Sequence, residues 1–224
     1  MYQPIVDVRN GDIIAFEANI RGKDENGKEI GYEQLREANV VADLDFKARD
    51  LALNQFELRP HKLFVNVAPE EMHKPLFFED IDFANVVLEI TEESSIIDAD
   101  RSIKRLNKLR EIGLKVALDD FGSQQQNFDK LEEFEPDFVK LDKSLVKNTK
   151  REVLEMFVPM LPHYSIIVEG VETQEQLQRC VSLGFRYVQG YYFSKPLPYD
   201  KLSTRLYNGD LQESIREKLN LLIN

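Results

Sequence analysis

The sequence predicts an α/β barrel of about eight strands, one of which runs against the others. Three observations carry this prediction. Apolar, strand-like runs recur about every 20 to 30 residues through most of the chain. Stretches with helical periodicity lie between most of them, which is the alternation of a parallel βα array. The chain opens differently, on two strand-like runs joined by a short turn, and strands joined that way are antiparallel.

In order along the chain, "YQPIVDV" and "DIIAFEA" are separated by "RNG", where Asn10-Gly11 is a strong tight-turn signal for a hairpin. A long helical region, 33–57, then crosses to the first of six later strands: "KLFVNV" (62–67), "NVVLEI" (85–90), "LKVALD" (114–119), "DFVKLD" (137–142), "SIIVEG" (165–170) and "RYVQGYYF" (186–193). These runs are apolar on both faces, as suits strands covered by helices. "DADRSIKRLNKLREIG" repeats apolar residues at Ile103, Leu106, Leu109 and Ile112, and "DLQESIREKLNLLIN" reads as a terminal amphipathic helix. The period is too long and the units too dissimilar for a solenoid. Nothing reads as a linker, so residues 1–224 are expected to form one domain, with an open doubly wound sheet as the alternative to closure.

At 224 residues, 42% hydrophobic and 31% charged, the chain is long enough to bury a substantial core without staples. A net charge of −11 argues against general nucleic-acid binding, which needs a basic surface. It leaves room for a small phosphorylated ligand, because cations held by carboxylates reverse the local sign. Cys180 is the only cysteine, which excludes an intrachain disulfide and reads as a small buried apolar residue. The opening "MYQPIVDVRNGD" does not read as a signal peptide, having no basic region followed by an apolar core. No run approaches the roughly 20 apolar residues of a membrane helix, so a cytoplasmic location is expected.

Barrels of this class place their chemistry at the C-terminal ends of the strands. Those ends carry Glu17, Asn66, Glu89, Asp119 with Asp120, Lys140, Glu169 and Gln189. Each alone has a plainer reading. Asp119 or Asp120 could cap the next helix, Asn66 could brace a turn, and Gln189 could end an edge strand. Glu169 is not needed as a cap, because Thr173 and Gln176 already form a capping-box pattern. Lys140, between Val139 and Leu141, is costly inside a barrel without carboxylate or phosphate partners. Nothing structural requires so many strand ends to be polar together.

Oxygen donors without histidine point to hard cations, magnesium or manganese. His61, His73 and His163 fall outside the set, which also argues against the histidine-aspartate class of phosphodiesterases. Several carboxylates with one lysine suit two-metal hydrolysis of a phosphodiester, with Lys140 steadying the nucleophile and the developing charge.

These residues resemble the EAL domain, the bacterial cyclic-di-GMP phosphodiesterase family. "YQPIVD", "AFEANIR", "FVNVAPE", "LEITEE", "ALDDFG", "FVKLDKSLV", "VEGVET" and "VQGYYFSKPLP" fall in the family's order and spacing across nearly the whole chain. The resemblance implies a modified TIM-like (β/α)8 barrel with one antiparallel strand. It implies hydrolysis of cyclic-di-GMP to linear pGpG with Mg2+ or Mn2+ at a two-metal site. It implies Glu17, Asn66, Glu89 and Asp119 as metal ligands, and Asp120 and Glu169 at the second metal. Lys140 is implied to position the attacking water beside Gln189. Gln3 and Arg21 match ligand-contacting positions, and Arg21 suits a phosphate. Glu92 and Glu172 match two further carboxylates, Glu172 as a brace for the loop after Asp120. A homodimer is also implied.

Two departures qualify the match. The signature triplet is Glu17-Ala18-Asn19, with asparagine where the family has leucine. The loop after the aspartates reads Phe121-Gly122-Ser123-Gln124-Gln125-Gln126-Asn127, and a glycine expected at Gln124 is missing. The alternatives to an active enzyme are therefore a cyclic-di-GMP receptor and a protein-interaction module.

Overall fold

The computed structural model describes residues 1–23, 25–30, 41–57, 60–67, 83–91, 99–123, 128–148 and 151–222. Glu92, His73 and the stretch Gln124–Asn127 lie outside the described residues.

Eight strands close into a barrel: β1 (Tyr2–Asp7), β2 (Asp12–Ala18), β5 (Lys62–Asn66), β6 (Val86–Thr91), β7 (Lys115–Phe121), β8 (Phe138–Leu141), β9 (Ser165–Val168) and β10 (Tyr187–Gln189). Around the barrel the order is β1-β10-β9-β8-β7-β6-β5-β2. β1 is antiparallel to both of its neighbours, and every other adjacent pair is parallel. Closure removes the open doubly wound alternative. The short strands β3 (Gly22–Lys23) and β4 (Glu29–Ile30) form a separate two-stranded sheet that the sequence did not announce, since two residues are too few to show a period.

The opening hairpin is as expected, with Asp7 paired to Asp12 across a turn that ends at Gly11, φ +75°. Helices occupy the outside, among them Val41–Gln55, Ala99–Glu111, Gln174–Ser182 and Asp210–Asn220. The expected helical region 33–57 is therefore described from Val41, and residues 31–40 lie outside the described set. In Ala99–Glu111, Leu106 is buried, but Ile112 lies beyond the helix end and is 57% exposed, so it leaves the expected apolar stripe. The capping box at Thr173 and Gln176 is present, and Cys180 is fully buried. No helix among the described residues is long and apolar enough to cross a membrane.

The strand expected over 186–193 ends at Gln189. At Gly190 the chain turns tightly against the segment after β9: Val171 donates to the Gln189 carbonyl at 3.2 Å, and Tyr192 donates to the Val171 carbonyl at 2.9 Å. Tyr191–Phe193 thus leave the sheet because their neighbour across Gly190 is a loop, not a ladder.

The barrel interior explains where the polar residues go. Ile5, Ala15, Phe64, Val87, Ala117, Phe138 and Ile167 form one apolar cluster, with Tyr187 packed on it. One residue comes from each strand, and Phe64 meets Phe138 edge-on at 5.1 Å between ring centroids. This plug fills the barrel, and Phe64→Ala would cost roughly 3–5 kcal/mol. Side chains in a strand return to the same face every second residue. Two positions from the plug, toward the C-terminal ends of the parallel strands, are Gln3, Glu17, Asn66, Glu89, Asp119, Lys140, Glu169 and Gln189. A layer of polar side chains therefore sits directly on an apolar floor.

Candidate active site

At the centre of that layer Lys140 has no exposed surface and faces four carboxylates. Its Nζ lies 3.1 Å from Glu17 Oε1, 2.6 Å from Glu89 Oε1, 2.9 Å from Asp119 Oδ1 and 2.7 Å from Glu169 Oε1. Burial alone would lower the lysine pKa, but the four carboxylates outweigh it and hold the ammonium well above its usual value.

Asp119 and Asp120 are adjacent, so a regular strand would send them to opposite faces. The structure solves this with a bulge. Leu118 pairs with Val139 and Phe121 with Leu141, so two aspartates stand opposite the single residue Lys140. Asp120 carries φ +55°, a left-handed conformation that aspartate tolerates better than most residues. Both carboxylates then reach the site, and two groups of ligand atoms result: Glu17, Glu89 and Asp119, and Asp119, Asp120 and Glu169. Within each group the atoms lie within 4.8 Å of one another.

The carboxylates divide by environment. Burial pushes Glu17 up, yet Lys140 and the donors Asn19 and Gln189 together hold it below its usual value. Burial raises Glu89 and Glu169 well above theirs, reinforced by neighbouring carboxylates and opposed by Lys140. Asp120 is pushed up to about 7, first by burial and then by Asp119. Such crowding of like charge is what a bound cation relieves. The hydrogen bonding agrees. An ammonium has three N–H bonds for four carboxylates, and Glu89 Oε1 and Asp119 Oδ1 are buried without a well-aligned donor. Among the described residues, the five carboxylates once ionised and one ammonium would sum to four negative charges, which two divalent cations match. The donor set fits hard cations.

Amides organise the rest. Asn66 donates to Glu89 Oε2 at 3.2 Å, and Arg49, from the helix Val41–Gln55, donates to the Asn66 carbonyl at 3.0 Å. Gln189 donates to Glu17 Oε2 at 2.5 Å and to Gln3 Oε1 at 3.2 Å, and Gln3 donates to the Ser194 carbonyl at 3.0 Å. Above this layer opens a cavity of about 950 Å³, bordered by Arg21, Arg49, Lys143, Lys147 and Tyr191. Arg21 Nη1 donates to the Ile20 carbonyl at 2.7 Å and does not touch the carboxylates.

The EAL domain family matches residues 1–196. The chain belongs to the EAL domain family. Among curated relatives it is 27% identical to the cyclic di-GMP phosphodiesterase NbdA of Pseudomonas aeruginosa, over 96% of this chain and 31% of the relative. It is 29% identical to an uncharacterized signaling protein of Caulobacter vibrioides, over 93% of this chain and 29% of the relative. The chain thus spans less than a third of either. The solved structure of Klebsiella pneumoniae BlrP1 with calcium and cyclic-di-GMP superposes with a TM-score of 0.72 at 29% identity, covering 87% of this chain and 54% of that one.

In this EAL domain the structure brings Glu17, Asn66, Glu89, Asp119, Asp120, Lys140, Glu169, Gln3 and Gln189 to one end of the barrel. Arg21 stands apart from them on the cavity wall. Glu172 pairs with Lys147 at 2.7 Å, and the bracing role inferred for it concerns a loop whose glutamines lie outside the described residues. Arg49 was missed by sequence reasoning, since a single arginine in a helical stretch carries no signal that its head is buried beneath a strand end.

Proposed function

We propose that this EAL domain is a metal-dependent phosphodiesterase that opens cyclic-di-GMP to linear pGpG. The observation that carries the reading is the pair of carboxylate groups sharing Asp119 on the floor of a cavity with cationic side chains on its wall. The relative named as a cyclic di-GMP phosphodiesterase and the BlrP1 complex support the same substrate.

Glu17, Asn66, Glu89 and Asp119 would hold one cation, and Asp119, Asp120 and Glu169 the other, magnesium or manganese by their oxygen donors. Bound there, the ions would supply charge to the phosphate oxygens and acidify a water. The reaction adds water across one phosphodiester: hydroxyl goes to phosphorus and a proton to the departing ribose oxygen. Lys140 keeps its proton throughout and acts as a fixed positive charge that orients the nucleophile and opposes the charge gained by the phosphate. Gln189, itself held by Gln3, fixes Glu17. Arg21, which borders the cavity, would bind a phosphate there. The apolar plug beneath closes the floor to bulk water.

The test is incubation of purified protein with cyclic-di-GMP and Mg2+ or Mn2+, with nucleotides resolved by chromatography. A linear product that disappears with chelator is expected. Intact nucleotide retained on the protein would overturn turnover and leave a receptor.

A further inference from the structure

We propose that Asn19 is a positioning residue whose side-chain amide pins Glu17 Oε2 and so turns Glu17 Oε1 toward the cation-holding carboxylates. The proposal rests on the metal-dependent reading above. Glu17 divides its two oxygens strictly. Oε2 accepts from Asn19 Nδ2 at 2.6 Å and from Gln189 Nε2 at 2.5 Å. Oε1 faces Lys140 at 3.1 Å, on the side where Glu89, Asp119 and Glu169 converge.

The last torsion of a glutamate side chain is broad and has no strong staggered preference. An unrestrained Glu17 could swing either oxygen, or both, inward. Two amide donors on one oxygen remove that freedom, and a carboxylate that has spent one oxygen this way offers the other singly. Gln189 reaches Glu17 from β10 and shares its Nε2 with Gln3 Oε1 at 3.2 Å. Asn19 has no such competing acceptor on that nitrogen among the described contacts, and it sits two residues from Glu17, the spacing that returns a side chain to the same face. The restraint is therefore local to the triplet Glu17-Ala18-Asn19. A leucine at this position, as in the resembling family, has no N–H and cannot supply it. Partners that hold a metal ligand in place commonly govern metal affinity about as strongly as a tenfold or greater change.

The experiment is calorimetric titration of Mn2+ into metal-free protein, for the unaltered chain, Asn19→Leu and Asn19→Ala, with thermal melting in chelator as a control. Both variants are expected to bind Mn2+ about tenfold more weakly, with melting in chelator unchanged and the KM for cyclic-di-GMP at saturating Mn2+ unchanged. Equal or tighter Mn2+ binding in both variants would overturn the proposal while leaving the phosphodiesterase reading intact. So would weakening in Asn19→Leu alone, which would trace the effect to bulk, or a rise in KM alone, which would make Asn19 a ligand contact. An unaltered chain that takes up no Mn2+ would remove both readings together.

Discussion

Lys140 Nζ lies 2.6 Å from Glu89 Oε1, and neither side chain has any exposed surface. An ion pair this deep repays its desolvation only while both partners and their surroundings are present. In Lys140→Met the floor would hold buried carboxylates with no counter-charge, and breaking such a pair costs about 3–5 kcal/mol. Thermal melting in chelator should fall well below that of the unaltered protein at pH 8, and Mn2+ should restore much of the loss. Turnover in saturating Mn2+ should drop by about 10²-fold or more, because the fixed charge proposed to act at the reacting phosphate is gone. A melting temperature in chelator that does not move would contradict the central role given to this lysine.

The raised carboxyls set the pH response. A carboxyl whose pKa rises on folding binds more protons in the folded state than in the unfolded one. Its contribution to stability is present below the unfolded value and is lost as pH rises through the folded one. For Asp120 that window runs from 3.8 to about 7, and Glu89 and Glu169 shift in the same direction. Metal-free protein is expected to melt lower at pH 8 than at pH 5.5. Metal binding has the opposite sign, since ligands must be deprotonated. Between pH 8 and pH 6 the Mn2+ affinity should weaken by roughly tenfold for the one proton that Asp120 takes up. Calorimetry at the two pH values decides it; equal affinity would show that no carboxyl of the site, Asp120 included, takes up a proton between them.

Arg21 borders the cavity without touching the carboxylates. A charge-assisted bond to a substrate phosphate made equally in ground and transition states affects KM and not kcat. Arg21→Ala should raise KM by about tenfold or more, the loss expected of a hydrogen bond to a charged group, with kcat changed little. Steady-state kinetics that show the reverse pattern would move Arg21 into the chemistry.

Gly190 is a position of close backbone approach. A Cβ there would lie 2.0 Å from the Val171 carbonyl oxygen and 2.4 Å from its nitrogen. Backbone cannot swing aside as a side-chain tip can, so Gly190→Ala should destabilise the fold by about 1–3 kcal/mol or more. It should also disturb Gln189, the residue before it. Denaturant unfolding measures the first effect, and a matching loss of Mn2+ affinity the second.

Much of the site was legible because barrel geometry converts spacing into position. Phe64 and Asn66, Val87 and Glu89, Phe138 and Lys140 are each two residues apart, and that alternation is written in the chain. The reversed first strand was legible from Asn10-Gly11. The bulge was not. Nothing in "ALDDFG" says that Asp120 takes a positive φ, because the cause lies in its pairing with β8. The strand expected through Phe193 failed for the same reason: "YVQGYYF" has strand composition, and only the packing of Gly190 on Val171 ends it. The Asn19 contact was likewise hidden, although the asparagine itself stood out.

The reversal of β1 has a consequence for architecture beyond this barrel. In a regular parallel βα barrel the first strand starts at the face away from the chemistry. Here the start of β1 borders the cavity, with Tyr2 and Gln3 on its wall. The first residues of the chain therefore stand at the rim of the cavity. A displacement at the start of β1 would need no long relay through the sheet, since it would pull directly on Gln3, and through Gln189 on Glu17.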